Sequence, residues 1–334
     1  IEGYIDKAVS LGITSVSDMT PYLSLDLSFP EVYFEMVSNN ELKIRVNAAR
    51  NLFEDINTFN EIRQKADLEG KGLYRVPYMK QFIDGTPANF TGMLLEDYSD
   101  NPGEKGKATI DLDKMAAAIE TATENNISVR LHSCGDRSCR EAINAYENAL
   151  KKFPETESRH MVEHLELVDP NDIPRFGQLG IICSIQPEHL AAGTMKWEEN
   201  CYPEKLGPER ERYTWPFKQL KDNGAVLAGG TDCPVVEGNL FWGMYAGNTR
   251  KYYDDIPEGG WNPQEKLTMP EMIDMFTSGA AYAEHRENEL GTLEAGKLAD
   301  ITVVDRNLLE LEENPDIRDT KVLLTMVDGR VVYS

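Results

Sequence analysis

A repeat constrains this chain more than any other feature. Seven short runs rich in apolar and β-branched residues, at 13–18, 42–47, 74–82, 127–132, 161–167, 180–186 and 225–232, each end at or near a polar side chain. Amphipathic, helix-like stretches intervene, at 2–11, 114–125, 138–151 and 171–179 among others. The polar residues Asp18, Asn47, Lys80, His132, His164, Gln186 and Asp232 are separated by 29, 33, 52, 32, 22 and 46 residues. Alternating strand and helix predicts a parallel sheet with helices outside. A (β/α)8 barrel uses about 250 residues, roughly 31 per unit, and the spacing fits that size. The count is seven rather than eight. A doubly wound open sheet satisfies the same pattern, and periodicity alone does not separate the two.

The composition changes after the helix that follows Pro270. Residues 291–305 read as strand, and 321–327 and 330–333 flank Asp328-Gly329, a pair suited to a two-residue type I′ hairpin. The chain therefore divides into a barrel domain, 1–287, and a small β unit, 288–334. The acidic run 310–316 reads as a solvated loop.

Charge and cysteine content narrow the function classes. A formal charge of −23 over 334 residues opposes binding to a nucleic-acid backbone. No window approaches the ~18 uninterrupted apolar residues of a membrane span, so no membrane partner is expected; a small-molecule substrate and a homo-oligomer are the partners left open. Five cysteines, odd in number and scattered through apolar stretches, point to a reducing compartment, the cytoplasm. Cys134 and Cys139 lack the CxxC spacing of structural zinc sites and read as buried free thiols.

In a barrel, the C-terminal strand ends face one shared mouth, where catalytic residues sit. His132 and His164 both close strands, and Lys80 and Asp232 close two others. Imidazole nitrogen with carboxylate oxygen suits Zn²⁺ and similar ions. Each residue also has a structural role open to it: a hydrogen-bonded core histidine, a snorkelling lysine, or an aspartate capping the next segment in GGTDCP. A lysine buried in a strand must be paired, neutral or chemically modified, for example carbamylated by CO2. Asp232 could both ligate a metal and move a proton from a water. The loop 235–261 carries Phe241, Trp242, Tyr245, Tyr252, Tyr253 and Trp261. There Arg250 could hold a substrate carboxylate, and His189 in QPEHL could reach substrate; the rings could equally pack the loop itself. His160 and His285 read as structural. Gly229-Gly230 carries no GxxxxGK[ST] or GxGxxG, so no phosphate cradle is supported.

MKQFIDGT, LHSCGD, RHMVEHLELV with DIPRFGQLG, SIQPEH, GGTDCPV and GTLEAGKLADITVVD occur in this order along the chain. Together they resemble the amidohydrolase superfamily, in particular its YtcJ-like branch, amidohydrolase family 3. The resemblance implies a metal-dependent (β/α)8 barrel with a β-sandwich, hydrolysing carbon–nitrogen bonds of amides, formamides or cyclic amides rather than peptides. It implies one or two divalent ions, foremost Zn²⁺. Lys80 resembles the family's fourth-strand lysine, often carboxylated and bridging two metals. His132 and His164 resemble the fifth- and sixth-strand ligands, and Asp232 the eighth-strand aspartate, both ligand and general acid/base. One departure stands out. The family carries His-x-His on strand 1, and this sequence contains no such pair. The expectation is an incomplete barrel lacking the N-terminal part with strand 1, with four of six ligands present and part of the β-sandwich at the C-terminus. The alternative is a truncated or degenerate barrel that binds a ligand without catalysis.

Overall fold

A computed structural model describes residues 1–19 and 29–334. Strands β1 (Ser15–Asp18), β2 (Arg45–Asn51), β3 (Tyr74–Phe82), β4 (Ser128–Ser133), β5 (Met161–His164), β6 (Ile182–Ile185) and β7 (Leu227–Gly229) form one sheet in chain order. Every neighbouring pair is parallel. A doubly wound sheet would reverse its order at a switch point. This one never does, and the architecture is an incomplete TIM barrel with β1 and β7 as its edges.

Helices between the strands seal the outer face. The helix α1 (Asp136–Lys152) buries Cys139, Ala142, Ile143, Tyr146 and Ala149, spaced as one helical stripe. The Tyr146 hydroxyl reaches the carbonyls of Val129 at 3.0 Å and Met161 at 2.9 Å, pinning α1 across β4 and β5. Asp55 and Asp111 begin two other helices by accepting from backbone N–H groups two and three residues on. Each such cap contributes about 1 kcal/mol.

Strand β4 shows how one sequence serves two environments. Its alternate residues Val129 and Leu131 are apolar, while Ser128, Arg130 and His132 form a polar row, and all six strand residues are buried. That row runs from the barrel floor to its mouth.

Several strand limits differ from the sequence expectation. The second begins at Arg45 and runs on through Ala48, which pairs with Asp18 of β1, and through Ala49 and Arg50, which pair into β3; Asn47 is therefore mid-strand. The fifth stops at His164, where φ turns to 76°, followed by 55° at Leu165. The seventh spans only Leu227–Gly229.

The C-terminal unit is a three-stranded antiparallel sheet of β8 (Ile301–Val304), β9 (Val322–Val327) and β10 (Arg330–Tyr333). Only the end of 291–305 is strand; the rest is turns. Asp328 and Gly329 adopt φ of 52° and 74°, as the type I′ hairpin requires. The sheet docks against the barrel through Thr325 and Thr302, whose hydroxyls donate to the carbonyls of Val9 and Gly12, both at 2.6 Å. Gly12 has φ +80°, and a Cβ there would lie 2.5 Å from the Thr302 methyl, so only glycine fits this approach. Among the described residues no helix is long and apolar enough to cross a membrane.

Candidate metal centre

Strand register builds the site. His132 pairs with Phe82 on one side and Glu163 on the other, and Ser133 pairs with His164. The His132 and His164 rings meet at 4.3 Å between centroids. His189, on the turn after β6, stacks over His164 at 5.7 Å. Its Nε2 lies 3.6 Å from Asp232 Oδ2. The donor atoms of His164, His189 and Asp232 fall within 4.8 Å of one another, and so do those of His132, Cys134 and His164. His164 belongs to both groups and links the two halves of the mouth.

Lys80 is 1 % exposed and forms an ion pair with Glu163. Burial pulls its ammonium down to about 7, with the Asp232 carboxylate acting in the opposite sense. Burial, reinforced by the Lys80 charge, lowers His132 to about 3. Burial likewise holds His164 well below its ordinary value, with His132, His189 and Lys80 adding to the effect. His189 is also lowered by burial, partly offset by Asp232. Asp232 is raised by desolvation, against the pull of His189 and Lys80. These rings are therefore neutral near pH 7, the state in which imidazole offers a lone pair to a metal.

Of the residues singled out from the sequence, Lys80, His132, His164, His189 and Asp232 gather in this mouth. Arg250 does not. It is fully buried, and its guanidinium donates to the carbonyls of Trp261 (3.0 Å), Trp215 (3.1 Å) and Thr214 (3.3 Å). With no surface to offer a ligand, it ties loops together rather than holding a carboxylate. The aromatics of 235–261 also pack among themselves, Trp261 lying 6.3 Å from Tyr252 and Trp242 stacking on Tyr253 at 5.2 Å. His160 stacks on Tyr146 at 4.6 Å, and His285 meets Ser128 Oγ at 3.0 Å, both structural.

Sequence reasoning missed Glu163 and Asp84. Strand alternation would send Glu163 and His164 to opposite faces. The positive φ at His164 breaks the alternation, so both reach the site. Asp84, in the IDGT of the quoted motif, accepts from the backbone N–H of Met93 (2.8 Å), Cys134 (3.0 Å) and Gly135 (3.0 Å) and from Ser138 Oγ (2.7 Å). Burial pushes its carboxyl up to about 6 despite those donors. It fixes the turn between β4 and α1.

The residues present fit a divalent cation. His132 Nδ1, His164 Nδ1 and His189 Nε2 are buried without a hydrogen-bond partner. An unsatisfied buried polar atom costs about 1–3 kcal/mol, and three in one mouth are a liability that a coordinated ion removes. Neutral imidazoles beside a carboxylate form the donor set of zinc-type sites.

Known proteins resemble this chain in sequence and in fold. A model described as "Amidohydrolase family" matches residues 1–333. The chain is 29% identical over 340 residues to Protein LONG AFTER FAR-RED 3 of Arabidopsis thaliana, covering 98% of this chain and 55% of that protein. It is 27% identical over 256 residues to the putative amidohydrolase YtcJ of Bacillus subtilis (strain 168), covering 76% and 46%. It is also 26% identical over 212 residues to the N-substituted formamide deformylase of Arthrobacter pascens, covering 64% and 38%. The chain thus spans about half the length, or less, of these relatives. The crystal structure of an uncharacterized metal-dependent hydrolase from Pyrococcus horikoshii OT3 superposes with a TM-score of 0.76 at 23% identity, covering 94% of this chain and 60% of that one. On the family match over nearly its whole length, the chain belongs to the amidohydrolase family.

Proposed function

We propose that this chain forms the catalytic mouth of a metal-dependent hydrolase that cleaves non-peptide carbon–nitrogen bonds of small molecules: amides, formamides or cyclic amides. The observation that carries the reading is the grouping of His164 and His189 donors within 4.8 Å of Asp232, in a mouth where His132, His164 and His189 each keep a buried nitrogen without a partner. The formamide deformylase among its relatives supports the bond type.

His132 and His164 would hold the ion, with Asp232 completing the set and Lys80 joining if carboxylated. Zn²⁺ suits these donors. When bound, such an ion polarises a carbonyl and lowers the pKa of a water towards about 7. Asp232 accepts the water's proton at its carboxylate and returns it to the departing nitrogen, base first and acid second. Its raised pKa brings it nearer to a group that can do both. His189, 3.6 Å away, orients that carboxylate and faces the substrate. Carboxylation of Lys80 needs the free amine, and its lowered pKa supplies it. The Glu163 ion pair opposes the change, because a carbamate there would meet a like charge.

The test is hydrolysis of a panel of formamides, linear amides and cyclic amides by the zinc-loaded protein, wild type and Asp232→Asn. Turnover of at least one class, lost in the variant with zinc retained, is the expected result. Undiminished turnover in the variant, or activity confined to other bond types, would overturn the reading.

A further inference from the structure

We propose that Cys134 is itself a ligand of this centre, a thiolate that makes the site sulfur-containing and selective for thiophilic ions such as zinc. The inference rests on the reading of this mouth as a metal centre and adds a ligand of a different chemical kind.

The first observation is strand geometry. Residues two apart along a strand face the same side. The polar row Ser128, Arg130, His132 therefore continues to Cys134, one step beyond the end of β4. Cys134 is fully buried, and its sulfur lies 3.4 Å from His132 Nε2. Two donors sharing a tetrahedral zinc, a nitrogen at about 2.0–2.1 Å and a sulfur at about 2.3 Å, stand roughly 3.5 Å apart.

The second observation is independent of the cysteine. The donors of His132, Cys134 and His164 lie within 4.8 Å of one another, both histidines are more than nine-tenths buried, and His164 keeps an unpartnered Nδ1. Cys134 supplies the third donor of this buried group.

The surroundings hold it there. Asp84 accepts from the Cys134 and Gly135 backbone N–H groups, so the turn carrying the thiol is braced before any ion arrives. Lys80, by contrast, is tied to Glu163. Cys139 provides an internal control. It is equally buried, but its sulfur lies 3.8 and 3.6 Å from the carbonyl oxygens of Ser133 and Leu167 and takes no part in either donor group. On coordination the Cys134 thiol loses its proton to solvent, leaving sulfur as the donor. A soft sulfur ligand favours zinc over magnesium, calcium or manganese.

Zinc-edge X-ray absorption on the zinc-loaded wild-type protein reads the ligand type directly. The expected spectrum contains one sulfur scatterer at about 2.3 Å beside nitrogen and oxygen. Cobalt-loaded protein should show a thiolate-to-cobalt charge-transfer band that disappears in Cys134→Ser and persists in Cys139→Ser. Zinc bound by nitrogen and oxygen alone would overturn the role of Cys134 and leave the metal centre standing. Failure of the wild-type protein to bind zinc or cobalt would overturn both.

Discussion

The two ends of the barrel are built from the same strands yet treat polar atoms differently. At the floor, Arg130 donates to Glu284 Oε1 at 2.6 Å and to the Ala283 carbonyl at 3.2 Å, and its guanidinium lies 3.5 Å over the Tyr78 ring. The Ser17 hydroxyl donates to the same Glu284 oxygen, and Arg45 grips Asp300 with two bonds of 2.7 and 2.9 Å. At the mouth, three imidazole nitrogens and the Gln186 and Glu188 side-chain oxygens are buried without partners. Among the described residues the floor has two such oxygens, on Asn47 and Glu284. Both ends are buried, so burial does not explain the contrast. The floor is closed for stability, and the mouth is left unsatisfied until something binds, as barrel enzymes divide their two faces.

Breaking each end should give different losses. The largest effect is expected from Asp232→Asn: turnover falls by about 10²–10⁴-fold, the range for a lost general acid/base, while much of the metal binding is kept through His132 and His164 and the urea unfolding midpoint stays near wild type. Arg130→Met should do the reverse. It leaves Glu284 buried and unpaired, and urea unfolding should show a loss of about 3–5 kcal/mol with zinc stoichiometry unchanged. A fall in zinc content in that variant would blur the division between the two ends. Zinc at a hundred times its dissociation constant should stabilise the wild type by about 2.7 kcal/mol, and His132→Ala/His164→Ala by none.

The smallest effect concerns pH and lies outside both ends. Burial holds His160 at about 3 in the folded protein, while the unfolded chain takes up a proton near 6.5. The unfolded state therefore binds more protons between those values. The His160 contribution is complete above pH 6.5 and is lost as pH falls towards 3. Chemical denaturation across that window should show a shallower decline for His160→Gln than for the wild type. An equal slope in both would remove His160 from the acid-labile set.

Much of this was legible from residue order alone. Apolar runs closing on Lys80, His132 and His164 mark strands because a parallel barrel buries both faces, and the C-terminal hairpin followed from the demand for positive φ at Asp328 and Gly329. Strand limits were less legible. Ala48, Ala49 and Arg50 have no strand-like pattern and are extended by pairing with neighbours far away in sequence. Choosing between barrel and open sheet needed the strand order, which periodicity does not contain. In the site, single residues at strand ends could be read, but relations between elements could not. Glu163 was hidden because alternation pointed it away, and only the left-handed turn at His164 reconciles the two. Arg250 misled because an arginine among aromatics looks the same in sequence whether it faces a ligand or three carbonyls.

Metal analysis of the purified protein tests the central claim most directly. Mass spectrometry after dialysis against trace zinc should find at least about one equivalent in the wild type and none in His132→Ala/His164→Ala, with both proteins folded by circular dichroism. Equal zinc in the two, or none in the wild type, would contradict the claim that these strand ends form a metal site.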